Sequence, residues 1–279
     1  MNHAYSEKIK IILVVVILFL YYSCNNPENS GGTIDTNDTD IATPSINYTT
    51  VNMFPHDTTS FTEGFLFHNG QLYEATGHAP EMPQTKSLFG DVDLKTGKIN
   101  TKVQIDNKYF GEGIVFIKDK IYQLTLDTKI GFVYDVKTFK QLGSFTFPSE
   151  EGWGATTDSS NIIMSDGTAV LTWLNPATFK TLKTITVKDE NGPVKNLNEL
   201  EYIKGYIYAN VWLTNYIIKI DPSAGKVLGK IDLGKIDNEQ KNKYSDSKEM
   251  NGIAYDAATD KIYVTGKMWP NIYEVRFEH

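Results

Sequence analysis

The sequence predicts an all-β chain: a five-bladed β-propeller of four-stranded antiparallel blades, its ring closed by an N-terminal strand. Two observations predict it. Short strand-like runs follow one another with almost no helical periodicity, and one phrase restarts five times along the chain. The runs are alternating or wholly apolar and end at turn residues. Examples are Phe65-Leu66-Phe67 before Asn69-Gly70 and Ile114-Val115-Phe116 before Lys118-Asp119, with Ile162-Ile163-Met164, Ile207-Tyr208-Ala209 and Ile262-Tyr263-Val264 further on. Such punctuation marks strands. No long stretch carries a 3.6-residue apolar stripe. The best helical candidate, Asn238 to Lys248, is charged and reads as a loop with a turn of helix.

The repeated phrase reads Glu63-Gly64-Phe65-Leu66, Glu112-Gly113-Ile114-Val115, Trp153-Gly154-Ala155-Thr156, Glu199-Leu200-Glu201-Tyr202 and Asn251-Gly252-Ile253-Ala254. Each opens a strand. A second strand follows, often holding an aliphatic–Tyr pair such as Leu72-Tyr73, Ile121-Tyr122, Ile207-Tyr208 or Ile262-Tyr263. A third leads into a turn of the type Asp93-Leu94-Lys95-Thr96-Gly97-Lys98, echoed at Asp135 to Lys140, Asn175 to Lys180 and Asp221 to Lys226. A fourth strand follows the turn. Counted from Gly64, Gly113, Gly154, Leu200 and Gly252, the restarts lie 49, 41, 46 and 52 residues apart. That is the length of one four-stranded propeller blade. The last repeat reaches His279 after about three strands at ordinary strand length. Ile46 to Phe54 is expected to supply the missing strand and remove the open sheet edge. A pair of β-sandwiches is the alternative fold, and it leaves the repeat unexplained.

Composition narrows the function. A formal net charge of −7, with lysines scattered among acids, excludes a basic footprint for nucleic acid. The single cysteine, Cys24, excludes an internal disulfide and a cysteine zinc cluster. The five histidines show no metal-ligand spacing, so no metal site is expected.

The N-terminus reads as an address. Lys8 and Lys10 precede the apolar run Ile11 to Leu20, which is short for a membrane span and ends in Tyr21-Tyr22-Ser23-Cys24. A small residue before a cysteine resembles a lipobox. Residues 1–23 are therefore expected to be a lipoprotein-type signal peptide and Cys24 a lipid carrier. A plain signal peptide or an uncleaved anchor is the alternative. Residues 24–45, rich in Asn, Asp, Thr, Gly and Pro, are expected to form a flexible tether, leaving 46–279 as the propeller. Within the tether, Asp35 to Asp40 lacks the Gly and Glu that an EF-hand loop needs at its sixth and twelfth positions. The expectation is an exported, membrane-anchored protein on the periplasmic or cell-surface side, acting as a monomer.

In a propeller the first strand of each blade lines the central channel, so the repeated phrases point at one axis. The residues placed there are Phe61 and Glu63, Phe110 and Glu112, Trp153, Asn198 with Glu199 and Glu201, and Asn251. Trp212 and the segment Lys267 to Pro270 are placed near the same mouth. Singly, each has a structural reading: a Glu-Gly pair as turn chemistry, a Trp beside Gly as packing, an Asn-Glu pair as a loop cap. Together they form the default pattern of a binding site, aromatic walls with a few converging polar groups.

The phrases resemble, in order, those of the plant- and bacterial-type glutaminyl cyclase family. They are Phe61-Thr62-Glu63-Gly64, Phe110-Gly111-Glu112-Gly113, Gly152-Trp153-Gly154, Ile163 to Gly167, Leu197 to Tyr202, Asn210-Val211-Trp212, Asn251 to Asp256 and Thr265 to Pro270. The resemblance covers Asn52 to Phe277. It implies a five-bladed propeller that cyclises N-terminal glutamine of peptides or proteins to pyroglutamate, releasing ammonia without cofactor or metal. It further implies Glu112 as the acid/base group, Lys267 and Asn198 as polar site residues, and Phe61, Trp153 and Trp212 as aromatic walls. Two positions depart from the family pattern. Glu63 stands where the family usually has Gln, and Leu124-Thr125-Leu126 lacks a Trp often seen there. Two other functions fit the same residues: a non-catalytic cell-surface propeller binding peptide or glycan, and a hydrolase using Glu63 and Glu112 as a carboxylate pair.

Overall fold

The structure, a computed structural model, describes residues 42–279. The expected signal peptide, Cys24 and most of the 24–45 segment lie outside the described residues. Five four-stranded antiparallel sheets follow one another around a ring. The first blade comprises Thr62–His68, Gln71–Thr76, Leu88–Asp93 and Lys98–Gln104, and the second Gly111–Ile117, Lys120–Thr125, Ile130–Asp135 and Gln141–Thr146. The third comprises Ala155–Thr157, Ile162–Met164, Val170–Leu174 and Thr181–Thr186, and the fourth Leu197–Ile203, Tyr206–Val211, Tyr216–Ile220 and Val227–Asp232. The fifth combines Met250–Asp256, Lys261–Gly266 and Asn271–Phe277 with Tyr48–Pro55, which pairs antiparallel to Asn271–Phe277 as its outermost strand. The N-terminal strand thus closes the ring.

Period-two alternation assigns each side chain to one of two neighbours. Ile162 and Met164 pack toward the second blade, while Ile163 between them packs toward the fourth. Ile262 and Val264 face the fourth blade, and Tyr263 faces the first. The core is therefore five wedges, one between each adjacent pair of blades. A strand buried on both faces reads as a continuous apolar run, as these do. Outer strands such as Gln141–Thr146 and Thr181–Thr186 are largely exposed and polar.

The recurrent turns explain their own residues. Asp93 accepts from the backbone N–H of Lys95 (2.9 Å) and from the Thr96 hydroxyl (3.0 Å). Gly97 follows at φ +74° and Gly225 at +71° in the equivalent turn. Phe139 and Phe179 occupy that left-handed position at φ 56° and 57°, an unusual place for a large side chain. Their rings are used: Phe179 stacks on Phe145 of the neighbouring blade, centroids 4.4 Å apart.

Two segments differ from the sequence reading or refine it. The helix runs Gly234–Lys243, starting before the expected Asn238 and lasting ten residues. Ile236 packs into the wedge between the fourth and fifth blades, and buried Gln240 hydrogen-bonds the Tyr273 hydroxyl. Tertiary anchoring, with Asp237 in its first turn and Lys241 and Lys243 in its last, holds a helix whose sequence has little stripe. At the other end of the chain, the last residues of the 24–45 segment rest on the fourth blade. Lys230 donates its N–H to Pro44 O (2.9 Å), and Ile46 donates to Lys230 O (2.8 Å).

Ring closure carries a buried ion pair. His56, directly after the closing strand, sets Nε2 3.0 Å from Glu74 of the first blade and Nδ1 2.7 Å from the Trp269 carbonyl of the fifth. Thr62 adds a hydroxyl donation to Glu74 (2.7 Å). Both ring nitrogens face acceptors, the arrangement of an imidazolium. Burial lowers the His56 pKa, but the Glu74 charge and the hydrogen bonds outweigh it, and the net shift is upward. A raised histidine stabilises the fold fully below its unfolded value and loses that contribution as pH rises through its folded value. Stability, measured as denaturant midpoint against pH, should therefore fall above the ordinary histidine range. His56→Gln should remove that dependence and cost roughly 3–5 kcal/mol by stranding Glu74.

Candidate active site

The site begins with an irregularity repeated around the axis. Pairing of the first and second strands slips between Thr62 and Gly64, between Gly111 and Ile114, between Leu197 and Leu200, and between Met250 and Ile253. These slips coincide with the repeated phrases, and such bulges re-aim side chains. They place Glu63, Glu112, Asn198 and Asn251 at the channel end. In the first three phrases Gly64, Gly113 and Gly154 let neighbouring blades approach backbone to backbone. A Cβ on Gly113 would lie 2.5 Å from the Ala155 nitrogen, and one on Gly154 would fall onto the Asn198 carbonyl oxygen. The Gly113 N–H donates to Trp153 O (2.9 Å) across this contact. Ser165 ties the third blade to the fourth by accepting from Gly154 N (2.8 Å) and donating to Asn198 O (2.7 Å).

A cavity of about 770 Å³ opens at this end. All seven site residues expected from the sequence line it: Phe61, Glu63, Glu112, Trp153, Asn198, Trp212 and Lys267. Trp153 and Trp212 meet edge to face at 87°, centroids 5.4 Å apart. The Trp153 indole donates to Glu151 (2.7 Å), and Gly167 leaves room for its ring. Phe61 meets Phe110 edge to face at 5.9 Å. The walls are thus aromatic and fixed by neighbours, as a pocket that orients a ligand requires.

Polar groups form the floor. Lys267 lies 2.7 Å from Glu63 and 4.6 Å from the centre of the Phe61 ring. Its backbone is held on both sides: its N–H donates to Glu249 O and its carbonyl accepts from Lys248 N, each at 2.9 Å. The following residue, Met268, takes φ 58° and donates to Ser60 O. Asn251 donates to the second Glu63 oxygen (3.0 Å) and to Thr62 O (2.9 Å). Glu112 and Asn198 are each 3% exposed, and Glu112 Oε2 and Asn198 Oδ1 have no partner among the described residues. Buried oxygens without partners are costly in a fold and are at home where a ligand completes them.

Burial drives the electrostatics. Desolvation pushes Glu112 well above the ordinary carboxyl range, and the Glu63 charge pushes it further against the pull of Lys267. Desolvation also raises Glu63, to about 7, with Lys267 holding it down. The floor therefore sets a carboxyl whose neutral form burial favours beside the Glu63–Lys267 pair.

Several residues behave differently from their sequence reading. Glu199 accepts from Ile253 N (2.8 Å) and Phe65 N (3.2 Å), joining three blades below the cavity. Glu201 accepts from Tyr255 N (2.8 Å). Both are structural latches inside the channel. Trp269 is wholly buried and donates to Lys248 O (3.0 Å), so it supports the site from behind. Sequence reasoning missed Glu151, Glu249, Glu81 and Met82 as lining residues. They lie in connecting loops outside the repeated phrases, where no periodicity marks a direction.

A family model described as glutamine cyclotransferase matches residues 23–277. A glutaminyl-peptide cyclotransferase of Arabidopsis thaliana is 34% identical over 276 residues, covering 98% of this chain and 84% of that protein. The crystal structure of a Myxococcus xanthus glutaminyl cyclase matches with a TM-score of 0.76 at 29% identity, over 85% of this chain and 98% of that one.

The axial contact predicts a sharp asymmetry between glycines. Gly154→Ala should cost about 1–3 kcal/mol or more by pushing on the Asn198 backbone. Gly143→Ala, where a Cβ meets nothing within 4 Å, should leave the denaturation midpoint nearly unchanged.

Proposed function

The chain belongs to the glutamine cyclotransferase family, and on that premise we propose that its cavity converts N-terminal glutamine of peptides or proteins to pyroglutamate, with Glu112 as the proton carrier. One observation supports the assignment most: a buried carboxyl with a partnerless oxygen sits on the floor of a cup walled by two indoles.

The reaction is an intramolecular acyl transfer. The substrate carries both reacting groups, so holding a cyclised conformer supplies much of the acceleration. Trp153, Trp212 and Phe61 are placed to do that holding. The neutral α-amine attacks the γ-carboxamide carbon, and the carbonyl electron pair moves to oxygen. Lys267 and Asn198 are the groups on the floor able to receive that oxygen and the carboxamide. Ammonia leaves only once its nitrogen is protonated; Glu112, kept protonated by its surroundings, gives that proton and takes back the one shed by the cationic α-nitrogen.

The same proposal includes export and lipid attachment at Cys24, supported by Lys8, Lys10 and the apolar run Ile11 to Leu20 ahead of Ser23-Cys24. The chain then acts as a monomer held at the membrane. Cys24→Ser should move the protein from the membrane fraction to the soluble fraction on cell fractionation.

Ammonia release from a Gln-initiated peptide tests the chemistry. Glu112→Gln should lower turnover by about 10²-fold or more, the size of a lost acid/base group, with an unchanged circular dichroism spectrum. Undiminished turnover in that variant would remove Glu112 from the role.

A further inference from the structure

Glu63 poses a question that a single proton carrier leaves open. It is 1% exposed, lines the same cavity as Glu112, and is bound by Lys267 at 2.7 Å and Asn251 at 3.0 Å. Among the described residues Lys267 is the cation paired with either carboxyl, and it holds Glu63, so Glu112 is left without a charge partner. Glu63 has an ammonium and an amide N–H, both donors, and a donor pair favours an ionised acceptor. Glu112 has an oxygen with no protein donor, so a proton there meets no competition.

We propose that Glu63 and Glu112 hold one proton between them and divide the chemistry, Glu63 accepting the proton of the attacking amine while Glu112 protonates the departing nitrogen. This rests on the cyclotransferase reading of the cavity. The step balances. The α-nitrogen lone pair forms the new C–N bond, and the carbonyl pair goes to oxygen. The nitrogen, now cationic, gives its proton to the Glu63 carboxylate. Neutralised Glu63 releases its hold on Lys267 as the oxyanion forms, so the lysine charge is freed where negative charge appears. Glu112 then gives its proton to the amide nitrogen, the old C–N bond breaks with its pair on nitrogen, and ammonia leaves as the carbonyl returns. Transfer of one proton from Glu63 to Glu112 restores the starting state.

Two carboxyls whose surroundings separate their proton affinities are the ordinary basis for assigning base and acid. The neighbouring acids act on both carboxyls, so the order rests on Lys267. Glu249, on the segment paired with the Lys267 backbone, and Glu63 act on one another, as do Glu199 and Glu63 from below, while Glu151 faces Glu112. Lys248 also lines the cavity but forms no ion pair with either carboxyl among the described residues, so Lys267 is the cation that Glu63 meets directly.

The order predicts asymmetry. Glu63 titrates while Glu112 is neutral, and Glu112 titrates against a charged Glu63. In 13C NMR titrations of glutamate-labelled protein, Glu63→Gln should lower the Glu112 midpoint by about one pH unit or more. Glu112→Gln should leave the Glu63 midpoint nearly in place. The alkaline limb of kcat/KM for a Gln-Ala peptide should move down with the Glu112 midpoint in Glu63→Gln. The titration of the unaltered chain needs no variant to fold: at neutral pH Glu112 should be protonated. Both carboxyls ionised there, or a Glu112 midpoint and alkaline limb unmoved by Glu63→Gln, would overturn the division of labour. No ammonia from Gln-Ala with the unaltered chain, the shared proton being present, would instead overturn the cyclotransferase reading.

Discussion

The axial contact between blade openings is the constraint from which the site follows. Five strands converge on one line, and their backbones come too close for side chains at the contact itself. Gly64, Gly113 and Gly154 meet the next blade's backbone there, with no Cβ to hold it off. The slip in pairing that accompanies Gly64 and Gly113 turns the preceding residue toward the channel mouth. Glu63 and Glu112 therefore owe their direction to the glycine beside them. At Glu63-Gly64 and Glu112-Gly113, packing at the axis and the direction of a carboxyl toward the mouth are two results of one backbone feature.

A second consequence is desolvation. Apolar wedges between blades seal the channel walls, so polar groups at its centre lose water. The carboxyls there meet that cost in different ways. Glu199 and Glu201 accept backbone N–H groups and serve as latches. Glu63 takes a lysine, and Glu112, without a donor, has its pKa pushed up by burial. The same side chain has four neighbours and several duties, set by which donors the adjoining blades present. Cations in contact with these acids are few, and that scarcity favours the neutral form of Glu112.

The site is also braced from outside. Lys267 projects from a short segment pinned to Glu249, Lys248 and Ser60, with Trp269 packed behind it. His56 reaches the same segment through the Trp269 carbonyl while binding Glu74 of the first blade. The seam where Tyr48–Pro55 meets Asn271–Phe277 therefore lies against the cavity floor. Rigid support of this kind is what a cavity must have to hold reacting groups at bonding distance.

The sequence by itself determined the strands, the turns and the number of blades. Ile162-Ile163-Met164 and the Asp93 and Asp135 turns carry local patterns whose meaning depends only on neighbours along the chain. Five of the seven expected cavity residues were readable because each lies in or beside a repeated phrase, while Trp212 and Lys267 were placed by the motifs Asn210-Val211-Trp212 and Thr265 to Pro270. The tertiary structure alone decided the rest. It extended a helix to Gly234 through the burial of Ile236, turned Glu199 inward as a latch, and drew Glu151 and Glu249 into the cavity from loops with no period. It also joined Glu63 to Lys267, far apart in sequence, and left Glu112 without a donor. The physical reason is common to all of these: a side chain's charge state and role depend on which groups share its desolvated space, and closure of the ring sets those neighbours.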